Sequence, residues 1–112
     1  MMLYQFKPRK TFNQDLASLG QVDPTIIDDV RAAIEILLSG DPLPAEFRDH
    51  DLKRKYAGYR EFHLRDTPRG TEPNAKNDVV VIYKVKDQDL VLIAIRIGSH
   101  NRLFRGAYRE SK

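Results

Sequence analysis

The sequence contains no cysteine, so the chain can form neither a disulfide framework nor a thiolate metal site. It has no apolar run near the roughly 18 residues that a membrane-spanning helix needs. Its first residues also lack the long apolar segment of a secretory signal peptide. Together these absences suit a protein of the reducing cytoplasm that has no membrane partner.

Room for a second domain is also lacking, because 112 residues make one domain of ordinary size. With 41% hydrophobic and 31% charged residues, the chain has the composition of a folded globular protein. We therefore predict a single domain over residues 1–112. A net charge of +3 is weak evidence for a nucleic-acid partner, but negative charge is scarce from residue 96 onward, where Glu110 is the only acidic residue.

The N-terminal region predicts a strand followed by a short helix. Residues 3–7 alternate between apolar and polar side chains, which is the pattern of a strand. Phe12, Leu16 and Leu19 are spaced so that they share one face of a helix. We expect this helix to end at Gly20, because glycine commonly follows the last residue of a helix.

The next segment predicts a second and longer helix. Asp23 can cap its N-terminus, and Pro24 suits its first position. Gly40 marks its end. The apolar residues that recur at helical spacing between these limits are Ile26, Ile27, Val30, Ala33, Ile34, Leu37 and Leu38. The two helices are expected to form a hairpin that covers a sheet.

The second half of the chain predicts three strands. Residues 59–64 alternate, whereas residues 79–85 and 90–97 are strongly apolar and should form central strands. Residues 86–89 connect the last two strands as a tight hairpin. Residues 65–77 have the composition of a loop that is long for such a connection, and is therefore either mobile or functional.

The resulting fold class is α+β with the order β-α-α-β-β-β. Residues 46–55 are expected to be irregular, with at most a short strand, and residues 100–104 to form a turn of helix. Helices are expected to cover one face of a mostly antiparallel sheet. The other face, lined by side chains of the second half, would be left for a partner.

Three histidines, His50, His63 and His100, are the residues most suited to chemistry. An imidazole has a pKa of about 6.5 and can both accept and donate a proton near neutral pH. Cleavage of RNA without metal needs a base for the ribose 2′-hydroxyl, an acid for the departing 5′-oxygen, and cations around the phosphate. Asp78 could orient a histidine or act as a base, and Phe104 or Tyr59 could stack on an unpaired base.

Basic residues near the histidines could hold the RNA backbone. Each also has a simpler interpretation, since a charged run is usually a solvated face, and any one histidine is more often structural than catalytic. The histidine spacings match no metal motif, so we predict no metal and no small-molecule cofactor. The candidate RNA-binding residues are Lys53, Arg54, Lys55, Arg60, Arg96 and Arg102.

The order of these motifs resembles the YafQ branch of the RelE/ParE superfamily of bacterial toxins. The resemblance lies in residues 42–64 (PLPAEFRDHDLKRKYAGYREFHL), residues 78–85 (DVVVIYKV) and residues 96–104 (RIGSHNRLF). It covers nearly the whole chain and implies a RelE-like fold. Asp-His, Gly-Tyr-Arg, Ile-Tyr-Lys and Gly-Ser-His occur in the order of that family and at nearly its spacings.

The resemblance implies a ribosome-dependent endoribonuclease of a type II toxin–antitoxin pair, which cuts mRNA in the ribosomal A site without metal. The implied partners are a cognate antitoxin of the DinJ/RelB kind and a ribosome with its mRNA and rRNA. The loop 65–77 is longer than expected for the family and leaves Asp66 as a rival to Asp78. The family's catalytic positions fall on His50, His63, Asp78, His100 and Phe104.

Two other functions stay open from the sequence. The ParE branch of the superfamily poisons DNA gyrase and does not cut RNA. A toxin that has lost its activity would only bind its antitoxin. Relatives of the ParE branch are not expected to carry this set of histidines, which favours the nuclease.

Overall fold

The computed structural model describes residues 2–104 and contains five strands and three helices within them. In chain order they are β1 (Gln5–Pro8), α1 (Lys10–Val22), α2 (Thr25–Leu38), β2 (His50–Asp51), β3 (Arg60–Arg65), β4 (Val79–Lys86), β5 (Val91–Gly98) and α3 (His100–Leu103). The strands form one sheet in the order β1-β5-β4-β3-β2. β1 runs parallel to β5, and the other pairs are antiparallel. The predicted α+β class and mostly antiparallel sheet are confirmed.

The main core lies between the sheet and the α1–α2 hairpin. Alternate residues of the central strands face the helices, among them Phe62 of β3 and Tyr83 of β4, which are almost fully buried. Phe12 of α1 and Ile26 of α2 meet them from the helix layer. Burial of such side chains contributes about 1.5–3 kcal/mol each. No helix within residues 2–104 is long and apolar enough to cross a membrane.

The opposite face of the sheet is not bare, which differs from the expectation that it is left for a partner. Val80 and Ile82 of β4 pack there against Leu52, Leu103 and the ring of Phe104 in a second, smaller core. Leu52, the single turn of 3-10 helix at residues 54–56 and the helix α3 supply the chain that covers it. Both faces of β4 are therefore buried, as its apolar sequence predicted.

The helix α1 continues through Gly20 to Val22, so the predicted stop at Gly20 is wrong. A Cβ at Gly20 would lie 2.7 Å from Cδ1 of Ile27 in α2. The glycine thus lets the two helices approach each other closely instead of ending the first one. The helix α2 begins at Thr25 with Pro24 at its N-cap, one residue later than predicted. Asp23 still supports this end, because its Oδ1 accepts hydrogen bonds from the backbone and hydroxyl of Thr25 at 3.1 and 2.6 Å.

The long connection between β3 and β4 is attached to α2 by one arginine. Arg65 donates to Asp23 Oδ2 at 2.8 Å and to Asp29 Oδ2 at 2.7 Å. It also reaches the backbone carbonyl of Lys76 at 3.2 Å. These contacts fix the first residues of the loop, including Asp66, beside the end of β3.

Candidate active site

Three imidazoles converge on one carboxylate oxygen at the face opposite the helices. Oε2 of Glu61 lies 3.4 Å from Nε2 of His50 and 3.2 Å from Nε2 of His63. It lies 3.7 Å from Nε2 of His100. The ring centroids of His63 and His100 are 5.1 Å apart, and those of His50 and His63 are 5.8 Å apart. The structure therefore brings together all three histidines predicted from the sequence.

Strand register explains this convergence. His50 of β2 lies directly opposite Glu61 of β3 in the antiparallel pair. Glu61 and His63 share a face because side chains two residues apart in a strand point the same way. His100 arrives from the far side, since β5 ends at Gly98 and Ser99 caps the following turn of helix by accepting from the backbone of Arg102 at 3.1 Å. Segments distant in sequence thus meet at one end of the sheet.

Each imidazole is held from behind through its Nδ1 atom. Nδ1 of His50 lies 2.6 Å from the carbonyl oxygen of Arg48, to which it donates. Nδ1 of His63 lies 3.0 Å from Oδ1 of Asp66. Fixing Nδ1 in this way turns Nε2 of each ring toward the centre, as hydrogen-bonded partners do for histidines in other sites.

His100 is anchored most firmly, and Asp78 is its anchor. The two oxygens of Asp78 accept from Nδ1 and from the backbone N–H of His100 at 2.8 and 2.9 Å. Hydrogen bonds to Asp78 and then Glu61 raise the pKa of His100 to about 9 against the opposing effect of burial. Burial acts to raise the pKa of Asp78, but the hydrogen bonds from His100 outweigh it and lower that pKa. His100 is therefore an imidazolium at neutral pH.

The two candidates for the catalytic aspartate, Asp66 and Asp78, contact different histidines. Asp66 contacts His63, and Asp78 contacts His100. Asp66 is also 2.6 Å from Nη2 of Arg48, an exposed side chain that the sequence did not single out. The same Nη2 lies 3.2 Å from Nδ1 of His63. Both aspartates can consequently serve to orient a histidine.

Glu61 is the central residue that the sequence analysis missed. Its side chain is 3% exposed. Burial acts to raise its pKa, but the nearby imidazoles of His100 and His63 outweigh it and hold the pKa at about 2. Its Oε1 atom is buried and has no hydrogen-bond partner among residues 2–104. The alternation of β3 already placed Glu61 on the face of His63, and that was the available signal.

Phe104 is buried beside the histidines instead of open to a ligand. Only 3% of it is exposed, and its ring stacks on that of His100 with centroids 6.1 Å apart and an interplanar angle of 29°. The rings of Tyr56 and Phe104 are almost perpendicular, with centroids 5.5 Å apart. Stacking of Phe104 on a base stays a prediction, and in this arrangement the phenylalanine supports the imidazole of His100.

The predicted RNA-binding residues fall into two groups. Lys53, Arg54, Lys55 and Arg102 are exposed, with the first three at the 3-10 turn after β2. The other two are engaged by carboxylates. Arg96 binds Asp15 of α1 at 2.6 Å, and Arg60 binds Asp51 at 2.6 Å and Asp49 at 3.2 Å.

The site has a donor set that could hold a metal ion. One donor atom each of His50, Glu61 and His63 lie within 4.8 Å of one another. Two imidazoles and a carboxylate are common ligands of zinc. The sequence did not predict this set, because its members come from two strands and their spacing in the chain matches no metal motif.

Comparison with known proteins places the chain and its fold in one family. The family described as "Bacterial toxin of type II toxin-antitoxin system, YafQ" matches residues 4–105. A Haemophilus influenzae protein named as a YafQ toxin is 32% identical over 82 residues, which cover 71% of this chain and 70% of that protein. The mRNA interferase toxin YafQ of Escherichia coli K12 is 38% identical over 63 residues, or 56% of this chain and about half (54%) of that protein.

Solved structures of similar toxins share the whole fold. YafQ in the E. coli DinJ–YafQ toxin–antitoxin complex superposes with a TM-score of 0.68 at 27% identity, covering 92% of this chain and 99% of that one. A metal-bound toxin from Helicobacter pylori gives a TM-score of 0.72 at 28% identity, covering 93% of this chain and 100% of that one. The predicted RelE-like fold and the resemblance to YafQ are confirmed.

Proposed function

This chain belongs to the YafQ family of bacterial toxins from type II toxin–antitoxin systems, and from that premise we propose that it is an mRNA interferase. It would cut mRNA in the A site of a translating ribosome by acid–base catalysis. The observation that carries this proposal is the convergence of three Nε2 atoms, each from an imidazole held at its Nδ1. Such an arrangement presents proton donors and acceptors in one small volume.

The reaction that fits this arrangement is attack of a ribose 2′-hydroxyl on the adjacent phosphorus. A base takes the hydroxyl proton, the bond between the 2′-oxygen and phosphorus forms, and the bond to the 5′-oxygen breaks as an acid protonates that oxygen. We assign these two proton transfers to His50 and His63. His100, kept as an imidazolium by Asp78, is suited to act as an acid or to bind the phosphate.

We assign RNA and rRNA contacts to the exposed cations near the cluster. Lys53, Arg54 and Lys55 lie in the segment that follows His50, and Arg102 lies two residues after His100. Contacts of this kind with phosphates weaken as salt rises, because binding releases counterions. Cleavage on the ribosome should therefore be more sensitive to salt than the fold is. The place of action would be the cytoplasm, where the ribosomes are.

The partner that would control this activity is an antitoxin. E. coli YafQ is known in complex with the antitoxin DinJ. We propose that a cognate antitoxin of the DinJ/RelB kind binds this chain and blocks cleavage. Co-expression with that antitoxin should restore growth to cells that produce the toxin.

The proposed chemistry needs no metal, although His50, Glu61 and His63 could hold one. A bound ion would supply a Lewis acid at the centre of the cluster. The three imidazoles already provide a base, an acid and a cation without it. Treating the purified protein with a chelator, and removing the chelator before programmed ribosomes are added, should therefore leave cleavage unchanged, whereas loss of cleavage that zinc restores would contradict the metal-independent part of the proposal.

The decisive experiment is primer extension on a reporter mRNA after brief induction of the protein. Wild type should produce discrete cuts in register with codons, on translated message only. His63→Ala should produce none, and matched untranslated message should stay intact in both. Growth arrest with intact mRNA would instead favour a gyrase poison. Absence of both arrest and cleavage would leave an antitoxin-binding protein without nuclease activity.

A further inference from the structure

We propose that Asp49, Arg60 and Tyr83 form a positioning network that holds His50 in place from the opposite face of the sheet. The proposal rests on the nuclease function proposed above. These residues belong to the Asp-His, Gly-Tyr-Arg and Ile-Tyr-Lys motifs of the sequence. Within the described residues, none of them is hydrogen-bonded to the histidine cluster. The proton transfers proposed above therefore do not explain why these three residues are present.

The structure brings these three motif residues to one point. The hydroxyl of Tyr83 donates to Oδ1 of Asp49 at 2.7 Å. Nε of Arg60 lies 3.2 Å from the same carboxylate oxygen and 3.3 Å from the Tyr83 hydroxyl. The ring of Tyr83 is 1% exposed and packs 5.8 Å from the ring of Phe62 in the main core. A rigid, buried group thus provides the base of the network.

The network is hydrogen-bonded to the residues of the chain on both sides of His50. Asp49 precedes the histidine, and Asp51 follows it and accepts from Nη1 of Arg60 at 2.6 Å. Residues next to each other in a strand point to opposite faces. The side chains of Asp49 and Asp51 therefore reach Arg60 and Tyr83 behind the sheet while the imidazole of His50 points to Glu61 in front of it.

The strand β2 needs such support because it is short and lies at the edge of the sheet. It has two residues, and its only strand partner in the described part of the chain is β3. Strands usually have about five or six residues. Arg48, two residues before β2, also has a left-handed backbone with φ of 48°, which is unfavourable for residues other than glycine. Backbone pairing alone is a weak anchor for His50.

This role replaces direct RNA binding as the function of Arg60. Its guanidinium is occupied by two carboxylates and a hydroxyl, and burial of the Tyr83 hydroxyl together with its bond to Asp49 raises the pKa of that phenol. Loss of the network should leave substrate binding intact but misplace one catalytic imidazole. A misplacement of about 1 Å can lower a rate about 100-fold. We therefore expect a fall in kcat with little change in KM.

The test is Tyr83→Phe in the full chain, with Tyr4→Phe as the matched control. Tyr4 donates its hydroxyl to Asp87 at 2.6 Å, away from the histidines. Cleavage on programmed ribosomes should show kcat reduced about tenfold or more in Tyr83→Phe, with KM as in wild type, since positioning affects the rate of the chemical step. Tyr4→Phe should match wild type. Thermal melting would show that both variants are folded.

A second measurement separates positioning from a loss of stability and from failure of the proposed function. In ¹⁵N–¹H spectra of the imidazoles, Tyr83→Phe should shift or broaden the signals of His50 and leave those of His100 unchanged. This result would support the network even for a protein that cuts no RNA. Unchanged His50 signals, or an Arg60→Gln variant that raises KM at constant kcat, would overturn the proposal in favour of RNA binding by Arg60.

Discussion

The two faces of β3 show how one strand separates stability from chemistry. On one face, Phe62 is fully buried among apolar side chains of the helix hairpin. On the other, Glu61 and His63 are also buried but belong to a cluster of ionisable groups. Burial stabilises the fold on the first face and shifts pKa values on the second. Replacing one or the other of these buried neighbours is therefore expected to have different consequences.

Replacing residues 62 and 63 separately should give the largest contrast. Phe62→Ala is expected to lower the free energy of unfolding by about 3–5 kcal/mol, as for other buried aromatic residues. His63→Ala is expected to lower the cleavage rate about 100- to 10,000-fold, because it removes one proton-transfer group. Urea unfolding and primer extension on both variants measure the two effects. A His63→Ala protein that cleaves normally would separate this histidine from the chemistry.

Neutralising the centre of the cluster should have an intermediate effect. Glu61→Gln keeps the size of the side chain but removes the charge that helps hold His100 protonated. The pKa of His100 should fall from about 9 toward its ordinary range. An NMR titration of the imidazoles measures it. Glu35→Gln, on the exposed side of α2, is the control that should leave the titration unaltered, and an unmoved His100 would show that Asp78 alone sets its pKa.

The smallest expected effect is a dependence of stability on pH that comes from His100 on the ionisable face. The pKa of His100 is raised to about 9 in the folded chain, compared with about 6.5 when unfolded. Its contribution to stability is therefore fully present below about pH 6.5 and is lost as pH rises toward 9. The free energy of unfolding of wild type, measured with urea, should decrease across that range. His100→Gln should flatten the curve there, and equal slopes in the two proteins would contradict the assignment.

Periodicity predicted the elements well, because it reflects which side of each element is buried. The alternation of residues 59–64 placed Phe62 and His63 on opposite faces, and the structure agrees. Gly20 misled the prediction of α1, since the same residue can end a helix or allow another helix to approach. Only the position of Ile27 in space distinguishes these two uses.

The partners of charged residues were not predictable from the sequence. Arg60 and Arg96 are predicted from the sequence to bind RNA, and the carboxylates that pair with them in the structure come from other segments. Glu61 was passed over for the same reason. Its importance depends on the convergence of His50 and His100, which are far from each other in the chain. Sequence motifs identified the imidazoles, and the fold assigns what holds them.

The parallel pairing of β1 with β5 affects how the protein folds while it is being synthesised on the ribosome. Thr11, at the start of α1, donates to the carbonyl of Ile95, a residue 84 positions later. The strand β1 therefore gains its partner strand, and α1 its contacts with the sheet, only after β5 has been synthesised. His100 follows β5 and completes the cluster last. A nascent chain that ends before His100 lacks one of the three imidazoles. The site therefore forms only after this residue has been synthesised.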